Sequence, residues 1–336
     1  MTTAFLKTAL KRLVLACFPA LAPTGSLSLG EALPWLVPKV RPRFVYETAV
    51  LRTGRLAPQF RLLAGIFAVS LAVDLPQRTL DVDVATLKRW DADFDALLQK
   101  ARSNLVGRGG EEGFRRLGPG RYRSTWQDGL DGSRLLLPGV LRCLNLDGDP
   151  VVVLPSPDTM LVVGSEDIPA LRWALAGALE FLDSDPRALN GCPLRLRHFD
   201  WEPFQVQAGH PLRPLLEQMR QRRLRDEYVR QKALLDHRND LAGVPITVAP
   251  FHLVRTPGGQ VASYTTWTPD QGEVWLPEAD RVCLAWESGG REQKAWMTWD
   301  ALKRRLSHLL EPAGLFPERY RLRECPGRDL LERLLA

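Results

Sequence analysis

The chain has 336 residues, 45% of them apolar and 25% charged, and a formal net charge of +6. That length suits about two domains rather than one small core, and the supply of Leu, Val and Phe excludes an extended disordered polymer. Only eight of the 45 basic residues are Lys, so the excess is an arginine excess spread along the chain. A nucleic-acid module would instead gather its cations on one face.

The first 26 residues place Phe5, Leu6, Ala9, Leu10, Leu13 and Val14 on one helical face, and predict an amphipathic helix over 1–26. The competing reading is a secretory signal, with Lys7, Lys11 and Arg12 ahead of an apolar run and Ala20-Leu21-Ala22 as the cleavage point. Pro23 would follow that point directly and argues against processing. A cytoplasmic location is therefore expected, with export as the alternative. Cys17, Cys143, Cys192, Cys283 and Cys325 are odd in number and form no CxxC pair. They suit free thiols in a reducing compartment, not a disulfide framework or a zinc site.

The stretch LPWLVPKVRPRF (33–44) cannot be regular helix. LLAGIFAVSLAV (62–73) is too short for a membrane span and predicts a buried strand. WDADFDALLQKARSNL (90–105) predicts a helix capped by Asp91. DGLDGS (128–133) reads as a turn, with a helix over Ser133–Leu146 kinked or delayed by Pro138. VVVLP and TMLVV are strands, and Asp167 caps a strong helix carrying Leu171, Ala174, Leu175 and Ala178 on one face. The Asp-, Pro-, Gly- and Ser-rich segment 183–193 marks a boundary. These signals divide the chain into a helix at 1–26, an α+β domain at 27–190 and a second α+β domain at 191–336.

The second domain opens with a long basic helix over about 210–241. VPITVAPFHLV, QVASYTTW, EVWLP, DRVCLAW and KAWMTW follow as strands, and TWDALKRRLSHLL closes as a helix. Strands interleaved with few helices predict an α+β fold of two units with mixed or antiparallel sheets and packed helices. An echo joins the halves: Tyr122-x-x-x-Trp126, Asp128 and Leu154-Pro155-x-x-Asp158 against Tyr264-x-x-Trp267, Asp270 and Leu276-Pro277-x-x-Asp280. Either an old duplication or chance recurrence of common turn residues explains it.

Asp128, Asp131, Ser133 and Arg134 stand together at the head of an apolar run, and Asp158 follows in the next strand turn. Converging carboxylates are what a metal-dependent hydrolase needs. However, the EF-hand spacing is absent, and Ser133 lies in no GxSxG motif. The competing reading is a capped turn. Asp131 or Ser133 would accept the free N–H groups of the next element, and Arg134 would pair with an aspartate. The turn reading needs no further residues and is preferred. No GxGxxG or GxxxxGK[ST] occurs, so neither cofactor nor metal is implied. Arg220, Arg222, Arg223 and Arg225 on the basic helix, and Trp267, Trp275, Trp296 and Trp299 in the strands, are candidates for contact with a partner.

Trp90, Asn104 and Leu105, then Asp128-Gly129 with Ser133-Arg134 and Leu136, then Pro155 and Asp158 occur in an order that resembles the YtpQ-type family of uncharacterised bacterial proteins. The resemblance covers about 60–185 and leaves 200–336 unplaced. It implies a cytoplasmic bacterial α+β protein and names no activity. With no complete catalytic constellation, the expected function is non-catalytic: an accessory, adaptor or immunity-type protein that binds another protein. The alternatives are a metal-dependent hydrolase using Asp128, Asp131 and Asp158, and nucleic-acid binding through the Arg220–Arg238 helix.

Overall fold

The computed structural model describes residues 27–53, 58–109, 113–184, 188–268, 272–288 and 291–323. The expected N-terminal helix, Cys17, Asp270 and Cys325 lie outside them. The fold is α+β with four sheets, two of them mixed. The described residues form two compact units, one up to Met219 and one from Arg220 onward.

In the first unit the Ser28 hydroxyl accepts the Glu31 N–H while Glu31 accepts the Ser28 N–H, a capping box that starts α1 (Leu29–Ala32). After a 3-10 turn the proline-rich stretch runs as β1 (Leu36–Pro42), an edge strand, where Pro38 and Pro42 can be tolerated. Two short helices follow, α2 (Arg43–Glu47) and α3 (Ala49–Thr53). The apolar run at 62–73 is a hairpin instead of the single strand expected. β2 (Arg61–Leu63) and β3 (Phe67–Leu75) are joined through Ala64 and Gly65, both at positive φ, a reversal that no continuous strand contains. β4 (Arg78–Asp81) completes this antiparallel sheet on β3.

Asp83 caps α4 (Val84–Trp90), and Asp93 caps α5 (Phe94–Gly107). Asp91, expected as that second cap, is instead the left-handed residue that ends α4. The six-stranded antiparallel sheet contains β5 (Phe114–Gly118), β6 (Arg121–Ser124), β7 (Pro150–Ser156), β8 (Thr159–Gly164), β9 (Leu194–Arg197) and β10 (Asp200–Pro203). Its order is β10-β9-β7-β8-β6-β5. α6 (Ile168–Ser184), with Asp167 bonded to the Ala170 N–H, packs Leu171, Ala174 and Leu175 against Val151, Val153, Leu161 and Val163. The other side of β7 and β8, Val152, Leu154, Met160 and Val162, meets Val40, Phe67 and Val69 of the first sheet. Burial on both faces explains why β7 and β8 read as unbroken apolar runs and not as alternating ones.

The helix expected over Ser133–Leu146 is two 3-10 turns, Asp131–Leu136 and Pro138–Leu141. Pro138 stands at the start of the second, where its missing N–H is harmless. β9 and β10 follow the 183–193 segment yet extend the six-stranded sheet, with β9 on β7. That segment is therefore a connection within the first unit. The limit between units falls at Met219–Arg220, inside the thirty-residue helix α7 (Arg213–Ala242).

The second unit holds two mixed sheets. β11 (Thr247–Val248), β14 (Val274–Pro277), β17 (Glu311–Pro312) and β18 (Arg319–Leu322) form one. β12 (His252–Arg255), β13 (Val261–Trp267), β15 (Arg281–Ser288) and β16 (Arg291–Thr298) form the other. Thr298 caps α8 (Trp299–Leu306), and Trp267, Leu276, Val282, Leu284, Met297 and Leu302 share one core. The sequence echo does not carry over to strand pairing: β6 lies antiparallel to β8, whereas β13 lies parallel to β15.

Candidate functional site

The Asp128–Arg134 segment closes on itself. Asp128 Oδ1 accepts the Leu130 N–H at 3.0 Å, an Asx turn, and both Asp128 oxygens accept from Arg134 at 2.9 Å. The Arg134 side chain is 1% exposed. Its guanidinium stacks 4.1 Å from the Trp126 ring centroid, and Trp126 meets Phe114 edge-on at 5.1 Å. A Cβ on Gly113 would stand 2.2 Å from the Trp126 ring, so only glycine lets the ring lie there. Burial works to raise the Asp128 carboxyl, but the Arg134 hydrogen bonds and charge, with the Leu130 N–H, hold it below its usual range.

Ser133 is buried, and its hydroxyl accepts the Val40 N–H of β1 at 3.2 Å. It ties the turn to the first sheet and is no helix cap. Asp131 caps nothing either: the 3-10 turn begins at Leu130 without a side-chain cap. Its carboxylate is buried with no hydrogen bond of good geometry. Burial pushes the Asp131 carboxyl up and the neighbouring Asp128 charge adds to this, while the Ser124 hydroxyl and the Gln127 N–H draw it down. Asp158, at the β7–β8 turn, brings Oδ1 to 3.7 Å from where a Gly129 Cβ would stand. Its charge also supports half-buried Arg41, whose pKa desolvation lowers.

Asp128 and Arg134 thus engage each other, Ser133 engages the β1 backbone, and Asp131 and Asp158 lie close by. Among the described residues no three His, Cys, Asp or Glu side chains are placed to hold one metal ion. A groove of about 330 Å³ lies elsewhere in this unit, between Gly148, Ser165, Arg195, Gln205 and His210. None of the five residues lines it, and Arg195 there is paired with Asp149 at 2.9 Å.

Each of the four candidate arginines on the basic helix lies within reach of a carboxylate. Arg222 and Arg225 pair with Asp226, Arg223 with Glu227, and Arg220 lies 3.9 Å from Asp280. Three of the four candidate tryptophans are core residues: Trp267, Trp275 and Trp299 are almost wholly buried. Trp296 differs at 53% exposed.

Register explains that difference. Tyr264 pairs with His252 and Arg281, Thr266 with Cys283, and Cys283 with Trp296, so these side chains share the sheet face opposite the core. There Tyr264 stacks on His252 at 4.9 Å, and Trp296 leans across β15 to meet Tyr264 at 5.5 Å. His252 and Tyr264 were not among the candidates. Their strand periodicity was readable, but only the pairing register aligns them with Trp296.

No helix among the described residues is long and apolar enough to cross a membrane. Compared with protein-family models, curated proteins and solved structures, the chain shows no match.

Proposed function

We propose that the protein is a non-catalytic binding protein, an accessory, adaptor or immunity-type component whose contact surface is the outer face of β12-β13-β15-β16. The observation that carries this reading is the half-exposed Trp296, aligned with Tyr264 and His252 on that face. Exposed Trp and Tyr on a rigid strand lose little side-chain freedom on binding and dominate many interfaces. The carboxylates around position 130 favour the same reading, because the Asp128 charge is engaged by Arg134. The paired cations of α7 give the nucleic-acid alternative little to stand on. The resemblance of 60–185 to the YtpQ-type family suits a bacterial protein of this kind and adds no activity.

The test is a photocrosslinker, p-benzoylphenylalanine, incorporated at position 296 in native cells, with position 241 as control. Leu241 is 78% exposed and lies on α7, outside the β12-β13-β15-β16 sheet. Discrete adducts at 296 and not at 241 support the reading. Equal labelling at both, or none at 296, refutes it.

A further inference from the structure

We propose that the His252–Tyr264–Trp296 ridge docks a proline-rich segment of the partner protein in the polyproline II conformation. The inference rests on the partner-binding reading above and names the class of ligand. Its basis is the arrangement of rings, donors and charges on one sheet face.

Tyr264 lies nearly parallel to His252, at 26°, but Trp296 is set against it at 64°. Rings inclined this steeply form a ridge of faces and edges, not one flat platform. Pyrrolidine rings pack their C–H surfaces against such aromatic walls, and a polyproline helix arrives already extended. Between the rings, Ala262, Cys283 and Ala285 share the face by register, and the longer Val254, Arg281 and Lys294 flank them.

Polyproline carbonyls have no internal hydrogen bonds, so the ligand needs donors. The exposed Arg281 guanidinium stands between Tyr264 and Thr298 in the pairing register, with no ion pair among the described residues. Thr266 places a hydroxyl in the same row as the Trp296 ring. Donors beside aromatic walls suit a ligand that offers acceptors and few donors.

Charge separates this occupant from a nucleic-acid strand. Arg281 and Lys294 on the face are matched by Glu287 and Glu292, and Lys294 is itself paired with Glu292 at 3.0 Å. Single-strand binders combine stacking rings with a positively charged groove. A charge-balanced face suits an uncharged ligand instead.

Decaproline is the probe, added to the full-length chain labelled with ¹⁵N. The Trp296 indole signal is assigned by its loss in Trp296→Phe. The expected result is a saturable shift of that signal. It should be absent with a Gly-Ser decamer and with a ten-nucleotide thymidine strand. Affinity, read in every variant from the backbone amide signals of β13 and β15, should fall at least ten-fold in Trp296→Ala, and several-fold in Arg281→Gln. The Arg281→Gln variant keeps every ring and guards against an unfolded Trp296→Ala. No saturable shift with decaproline, an unchanged affinity in Trp296→Ala or in Arg281→Gln, or a stronger response to the thymidine strand each overturns the proposal. Adducts at position 296 without decaproline binding would discard the polyproline ligand alone. A lack of adducts would remove the contact surface itself.

Discussion

Asp128 and Arg134 form a two-pronged ion pair with both N···O distances at 2.9 Å, closed on its far side by the Trp126 ring. The guanidinium is buried while the carboxylate keeps some solvent contact, with side-chain exposures of 1% and 31%. Removing the carboxylate would strand a buried cation. Asp128→Ala is expected to destabilise the first unit by about 3 kcal/mol, the lower end for a broken buried pair because Asp128 is partly wet. Urea denaturation followed by tryptophan fluorescence measures it. A change below ~0.5 kcal/mol would mean the pair is an ordinary surface contact.

Asp131 should behave in the opposite sense to Asp128. Its folded-state pKa is raised, so the ionised carboxylate opposes folding at neutral pH, and this penalty fades as pH falls through the folded pKa. Asp128, with a lowered pKa, contributes stability above its unfolded value that is lost as pH falls through the folded one. Asp131→Asn is expected to raise stability at pH 7 by roughly 1 kcal/mol, the lower end of the penalty for an unsatisfied buried group. The gain should shrink toward pH 4. Denaturation midpoints at the two pH values test this, and a pH-independent difference contradicts it.

In the second unit, Arg319 is fully buried and has no carboxylate partner among the described residues. It donates to Gln231 Oε1 at 2.5 Å and to the carbonyls of Ala249, Trp275 and Tyr228. Desolvation lowers its pKa to about 10, against the opposing effect of Tyr228 and Asp236, so it stays charged at neutral pH. Arg319→Met keeps much of the volume but leaves those acceptors without their donor. A loss of about 3 kcal/mol or more is expected. Calorimetry should show it as a lowered melting temperature, and an unchanged one would refute this account.

The β9–β10 hairpin turns through His198 and Phe199, both at positive φ (48° and 72°). Such two-residue turns favour Asn-Gly, and a bulky side chain in the left-handed region costs about 1–2 kcal/mol. Phe199 is 65% exposed and recovers part of that through Arg142, 4.6 Å from its ring. Phe199→Gly is expected to stabilise the first unit by about 1 kcal/mol net. A lower denaturation midpoint in the variant would show that the Arg142 contact outweighs the strain.

The sequence exposed most elements but not their ends or partners. Strands at 151–154, 261–267 and 281–288 were legible because each is a short apolar or alternating run between turn residues. The break at Ala64-Gly65 hid inside a run with no charged residue, and the competition between Asp91 and Asp93 for one cap was decided by backbone conformation. Around position 130 the arginine pairing was readable from spacing. The docking of Ser133 on Val40 was not, since 93 positions separate them. The aromatic ridge was least legible, because it depends on which strands lie side by side.

β16 is the last strand of its sheet, so one of its edges lacks a strand partner among the described residues. An aromatic face beside a bare edge invites copies of a chain to add strand to strand. Arg291, Glu292 and Lys294 charge the first half of that edge, and a second copy adding there would have to strip water from them. The strand that exposes Trp296 thus carries its own obstacle to edge-to-edge pairing.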